Sequence, residues 1–316
     1  MRRSKAVLAL DLGGTKILGA VVGPDGAILH TEQVPTKANE GGDAVMSRLA
    51  ALTQQLQAHA EQERQDILAV GLATPGLVDS QAGRTIGPVS NLPGWGDRAI
   101  GPELSSQGNL PVQVVNDANA AALGEGWLGA ARGCQNYLMV TIGTGIGGGI
   151  VADGRLVAGA HGGAGEVGHM VLERNGPRCP CGWYGCWEAL AAGPALEARL
   201  RASWPGPGSV PKLDALCQLA KGSHQWAQAQ LREEAELLAL GVGSLLNLLD
   251  PELILLGGGV MAAGGETLLG EVQAALKRQP TTFPPGQLVL AKLGQQAGVI
   301  GAAYAALERA GAKLKR

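Results

Sequence analysis

Apolar residues first cluster in three short runs within AVLALDLGGTKILGAVVGPDGAILHTEQV, separated by GG and PDG turns, which predicts a β-meander. Residues 43–60 then follow helical spacing, and the apolar runs 67–73 and 112–115 predict buried strands. Each of these strands runs into a polar or Gly-containing loop, TPG at 74–76 and NDAN at 116–119. Ligands of α/β sheets gather at such strand ends. The pattern restarts at residue 137, where YLMVTIGTGIGGGIVADGRLVAG repeats the order strand, Gly-rich turn, strand, Asp-Gly turn found over 7–29. Setting Asp11 against Thr141 places Gly13 opposite Gly143, and the turns open into apolar strands at 17–22 and 150–151. An internal duplication of one α/β unit is expected. Helical periodicity returns over 230–249, a buried strand over 253–256 ends in Gly257, Gly258 and Gly259, and 299–310 predicts a closing helix. The expected fold class is α/β, two related lobes facing a cleft.

Length agrees, because 316 residues exceed the size at which a single core stops growing. A net charge of -2, with no Lys/Arg-rich run between the short ends MRRSK and KLKR, argues against a nucleic-acid partner. Aromatics are only 3% and glycines number 50, so the core must be built from Ala, Leu, Val and Ile around many tight turns. The first apolar stretch, 6–10, is too short for a signal peptide and ends at Asp11. No segment approaches the ~18 apolar residues that span a bilayer, so a soluble cytoplasmic protein without a membrane partner is expected. Five cysteines, an odd number, fit metal binding or free thiols better than a disulfide framework.

DLGGTK at 11–16 puts a carboxylate at a strand end, then two glycines, a hydroxyl and a lysine on a hairpin. Either this is an ordinary Gly-Gly turn, or Gly13, Gly14, Thr15 and Lys16 hold a polyphosphate while Asp11 holds Mg²⁺ through water. The duplicated hairpin favours the second reading, since two such turns clamp a triphosphate. Gly143, Gly145 and Gly148 match GxGxxG, but a strand and turn, IVADG, follow where a dinucleotide-binding unit needs a helix. No Walker-type GxxxxGK[ST] run exists. NDAN places Asp117 at a strand-to-helix junction, as a helix cap or as a base for an attacking hydroxyl. Both hold if Asn116 or Asn119 caps while Asp117 reacts. His169, Cys179, Cys181 and Cys186 supply one imidazole and three thiolates, the ligand set of a closed, structural zinc site. Glu166 and Glu188 bracket them without a neighbouring Lys or Arg, either as solvated acids or as acceptors for vicinal sugar hydroxyls.

DLGGTK, GLATPG, NLPGW, NDANAAALGE, TIGTGIGGGI, GEVGHM and CPCGWYGCWE, in this order over 11–188, resemble the ROK family of sugar kinases and repressors, most nearly its bacterial glucokinases. Weaker similarity, including LLGGGV at 255–260, runs nearly to the C-terminus. The resemblance implies an actin-like ATPase fold of two ribonuclease-H-like lobes around a cleft. The expected division is 1–116 plus about 299–316 against 117–298, with a zinc loop at 169–188. It implies Mg-ATP-dependent phosphorylation of a hexose, glucose first, with fructose, mannose, allose or N-acetylmannosamine as alternatives. Asp117 becomes the base for the sugar 6-hydroxyl, and Gly76, Asn91, Asn116, Glu166, His169 and Glu188 become sugar contacts. Gly13 to Lys16 with Thr144 and Gly145 hold the ATP phosphates, and Gly257, Gly258 and Gly259 lie against the nucleoside. Some relatives accept polyphosphate, but no long basic groove is visible. The family also suggests a homodimer or homotetramer. Its repressors carry an N-terminal helix-turn-helix domain, for which ten residues before Asp11 leave no room.

Overall fold

The first apolar run forms β1 (Ser4–Leu12), inaccessible from Ala6 to Leu10, and the GG turn folds it back on β2 (Lys16–Val22). This computed structural model describes residues 3–89, 92–278, 287–312 and 314. β3 (Ile28–Pro35) pairs with β2 and alternates half-buried with exposed residues, as the last strand of the sheet does. α1 (Gly42–Gln62) crosses to β4 (Gln65–Thr74), which lies parallel to β1. A small hairpin, β5 (Leu77–Asp79) and β6 (Arg84–Ile86), and α2 (Ile100–Gly108) lead to β7 (Val112–Asn116), parallel to β4. α3 (Asp117–Leu128) follows without a loop. The sheet order is β3-β2-β1-β4-β7.

The same topology is then repeated. β8 (Tyr137–Ile142) folds back on β9 (Ile146–Ala152), which is followed by β10 (Arg155–Leu156). Four helices come next: α4 (Trp187–Ala191), α5 (Gly193–Ser203), α6 (Leu213–Lys221) and α7 (Gln225–Leu249). β11 (Leu253–Gly257) joins β8 in parallel, α8 (Gly258–Arg278) crosses over, and β12 (Gln287–Leu290) closes the order β10-β9-β8-β11-β12. Each sheet carries an antiparallel hairpin partner on one side of its first strand and parallel additions on the other. β9 begins at Ile146, earlier than the apolar run 150–151 suggests, because Gly147, Gly148 and Gly149 are strand residues. α9 (Ala297–Arg309) ends the chain's regular structure.

Contacts divide the chain into one unit of Met1–Gly133, Leu156–Ala164 and Gln295–Arg316 and another of Cys134–Arg155 and Gly165–Gly294. The first unit thus retains α3, beyond the division expected after residue 116. The reason is close packing of α3 and β4 on α9. A methyl group at Gly301 would overlap the Ala120 carbonyl oxygen, and one at Gly71 would overlap that of Ala302. Among the described residues no helix is long and apolar enough to cross a membrane.

The second unit's core surrounds Trp187 and includes one carboxyl, Glu234, which is fully inaccessible. Its Oε2 accepts from Arg199 Nη2, while Oε1 has no hydrogen-bond partner. Burial pushes this carboxyl up to about 8, against the opposing charge of Arg199. Between the ordinary value of 4.5 and about 8 the folded chain therefore holds a proton that the unfolded chain has lost. Glu234 accordingly lowers stability as pH rises through that window. Chemical denaturation of wild type and Glu234→Gln across the window is expected to show a steeper fall in unfolding free energy for wild type.

Candidate active site

In the first unit the β1–β2 turn closes with Gly13 N donating to Lys16 O at 3.0 Å, and Thr36 braces it through Oγ1 to Gly13 O at 2.7 Å. Gly14 and Thr15 are exposed at its tip, and Lys16 Nζ donates to Gln295 Oε1 at 2.7 Å. Asp11 stands at the end of β1. Burial raises its carboxyl to about 7, the Asp117 charge adds to the shift, and Lys16 opposes it. Two carboxylates with one nearby ammonium leave an excess of negative charge that suits a divalent cation.

Asn116 is the cap of α3: its Oδ1 accepts from Ala118 N at 2.9 Å and Asn119 N at 3.1 Å, and its Nδ2 donates to Gly76 O at 3.1 Å. The structure thus brings Gly76, Asn116 and Asp117 together. Gly76 has φ 92°, a conformation that favours glycine. Trp95 of NLPGW is inaccessible and donates through Nε1 to Thr74 Oγ1 of the TPG loop at 2.8 Å. Asn91 lies outside the described residues.

In the second unit, glycines set the positions of the acids. Segment 165–168 lies directly on β9: a methyl at Gly148 would sit 2.8 Å from Gly165 O, and one at Gly168 would overlap Ile146 O. This close approach delivers Glu166 and His169 beside the β8–β9 turn, where Gly143 N donates to Gly145 O at 2.8 Å. Glu188, on α4, reaches the same turn and accepts from Ile146 N through Oε2 at 3.0 Å. Gly145 faces that carboxylate so closely that a methyl would overlap Oε2. Gly145→Ala is therefore expected to displace Glu188 and raise the KM of whichever substrate Glu188 holds, with little change in melting temperature, as steady-state kinetics and thermal unfolding would report.

His169 faces two ways. Nδ1 lies 3.7 Å from Cys179 Sγ, and Nε2 lies 3.7 Å from Glu166 Oε2. Cys181 and Cys186 place their sulfurs 3.6 Å apart, and all four donor atoms fall within 4.8 Å of one another. A tetrahedral ion with bonds of about 2.3 Å to sulfur and about 2.0 Å to nitrogen separates such donors by about 3.6 to 3.8 Å. The cluster fits zinc. Burial raises the Glu166 carboxyl above the usual range, with His169 opposing the shift and Glu188 adding to it. Of the remaining thiols, Cys217 is buried, as its apolar context suggests, while Cys134 is only half-buried.

A pocket of about 690 Å³ opens on the other side of the turn, lined by Thr144, Gly193, Leu213, Gly259 and Val260. Its volume suits a nucleoside-sized ligand. Gly257 and Gly258 lie at the β11–α8 junction behind it, and Gly258 has φ 85°. The α5 wall, including Leu196, Leu200 and Arg201, is invisible to motif reading. Its only local signal is the Gly193-Pro194 helix start.

A family model described as the ROK family matches residues 7–309. The chain belongs to the ROK family. This ROK chain is 34% identical over 313 residues to a glucokinase of Halalkalibacterium halodurans, covering 94% of this chain and 93% of that one. It is 33% identical over 299 residues to an N-acetylmannosamine kinase of Escherichia fergusonii, covering 95% and 97%. A ROK family glucokinase from Streptomyces griseus, solved in complex with glucose and AMPPNP, superposes with a TM-score of 0.80 at 32% identity, covering 96% and 99%. The fold is the actin-like ATPase fold, and the repeated sheet topology is its internal duplication.

Proposed function

We propose that this ROK protein is an ATP-dependent hexose kinase that transfers the γ-phosphoryl group to the sugar 6-hydroxyl, with glucose the first candidate substrate. The observation that carries the reading is His169, which presents one ring nitrogen to the thiol cluster and the other to Glu166, with Glu188 on the adjoining turn. Glu166, His169 and Glu188 accept from or donate to vicinal hydroxyls. His169, Cys179, Cys181 and Cys186 would hold Zn²⁺, which would fix the histidine tautomer and stiffen the loop. Gly76, Asn91 and Asn116 are further sugar contacts, and one amide hydrogen of Asn116 remains available beyond its bond to Gly76.

The pocket beside Gly259 takes the nucleoside, and the Gly13 to Lys16 and Thr144–Gly145 turns take the phosphates. Mg²⁺, when bound through water to Asp11, supplies neutralising charge to the phosphates. Asp117 accepts the proton of the attacking hydroxyl, so catalysis rests on position and charge with no phosphoenzyme. The glucokinase relatives support glucose. The N-acetylmannosamine kinases, at nearly the same identity, support that sugar as the second reading.

The test is ADP release from Mg-ATP with glucose, mannose, fructose, allose and N-acetylmannosamine, identifying each sugar phosphate. Glucose 6-phosphate at the highest kcat/KM is expected. A higher kcat/KM with another hexose moves the substrate, and no sugar-dependent turnover with any of them overturns the reading.

A further inference from the structure

The short helix α4 carries Glu188 and is preceded by the thiol Cys186, yet at one and a half turns it cannot hold its own conformation. Its N-terminal end is fixed by Cys186 in the donor cluster. Its first residue, Trp187, is inaccessible and donates through Nε1 to Leu237 O on α7 at 3.0 Å. Gly241 makes room for that indole, since a methyl there would overlap the ring. Just past the helix Gly193 N donates to Gly143 O at 2.8 Å, and Leu190, Ala191 and Ala192 are buried.

A side-chain hydrogen bond adds to these ties. Leu190 O, among the terminal carbonyls of α4, accepts from Arg199 Nη1 of α5. Arg199 is in turn held from behind by Glu234 Oε2 on α7, with Glu233 Oε1 3.7 Å from its Nε. An Arg–Glu pair whose carboxyl is inaccessible and keeps one unpartnered oxygen contributes little to stability compared with apolar side chains of the same volume. Its effect is to fix a direction.

We infer that Arg199, held by Glu234, is a positioning residue for the hexose site, fixing the C-terminal end of α4 and so the aim of Glu188. The inference rests on the reading of Glu188 as a hexose ligand. It assigns no contact with substrate to either member of the pair.

Arg199→Met alone strips the inaccessible Glu234 carboxyl of its hydrogen-bond partner and is expected to damage the fold. The informative variants are Arg199→Met/Glu234→Leu, which replaces both groups with apolar side chains, and Arg199→Lys, which keeps a charge for Glu234 but lacks the fork that also reaches Leu190 O. Both are expected to stay folded and keep their zinc, while the hexose KM rises on the order of 10-fold and the ATP KM is unchanged. Glu234→Gln, which still offers an oxygen to Arg199, keeps the hexose KM near wild type. A folded double variant with unchanged hexose KM overturns the inference, as does an equal rise for ATP and hexose. Glu188→Gln, measured alongside, separates the two levels: if it leaves the hexose KM unchanged, the reading of Glu188 fails and the positioning role with it.

Discussion

Asp117→Ala is expected to lower kcat by about 10²- to 10⁴-fold, the range a single general base supplies, while hexose and nucleotide still bind. The cap of α3 survives this substitution. Asp117 is the first residue of α3, where an N-cap would ordinarily be lost with it, but the capping oxygen belongs to Asn116. Ala118 N, which also donates to Asp117 Oδ1 at 2.8 Å, keeps its bond to Asn116 Oδ1. Helix α3 therefore stays capped, and its Ala-rich contact with α9 is untouched. A kcat loss with unchanged melting temperature then reports on chemistry. Asp117→Asn, which retains the acceptor for Ala118 N but loses the charge and the ability to take a proton, is expected to fall as far. Calorimetric titration with the hexose and with AMPPNP checks that binding survives. An Asp117→Asn variant that kept wild-type kcat would place the base elsewhere.

How much of this was legible in the sequence varies with the kind of interaction. Hairpins punctuated by glycine, the strands at 67–73, 112–115 and 253–256 and the long helices are visible because period and punctuation are local. The donor set His169, Cys179, Cys181 and Cys186 is visible for the same reason. The start of β9 is misjudged because Gly147 to Gly149 read as a loop, when the bare backbone of Gly148 is what lets segment 165–168 lie flat on the strand. That close approach is a tertiary fact. So are the bond from Ile146 to Glu188, 42 residues apart, and that from Arg199 to Glu234, 35 apart, neither of which any spacing rule reports. The unit boundary after Gly133 follows likewise from the packing of α3 against α9, on glycines whose partners lie far along the chain.

Cys181→Ser, or treatment with a strong chelator, is expected to release zinc, open the 169–188 loop to proteolysis and raise the hexose KM well above any change in the ATP KM. The forces holding that loop decide the size of the effect. Trp187, Met170 and Leu172 anchor its ends in the core, but Trp183 and Tyr184 are 70% and 55% exposed, so little apolar burial fixes the stretch that carries Cys181. The backbone adds Cys179 N to Trp183 O at 2.8 Å, Gly182 N to Cys179 O at 3.0 Å and Gly185 N to Pro177 O at 2.8 Å. Each such bond contributes about 1 kcal/mol net. A structural zinc ion contributes on the order of 10 kcal/mol of apparent binding free energy, so the ion outweighs all of them together. The consequence falls on the sugar first, because His169 Nδ1 belongs to the cluster while Nε2 faces Glu166, and Cys186 directly precedes α4 and Glu188. The pocket walled by α5 and the start of α8, where the proposal puts the nucleoside, has no residue of the thiol cluster in it and is expected to keep its affinity. Metal content by elemental analysis, limited proteolysis and separate KM values for hexose and ATP make the test. A Cys181→Ser variant with full metal content and wild-type hexose KM would show that the cluster does not order the sugar site.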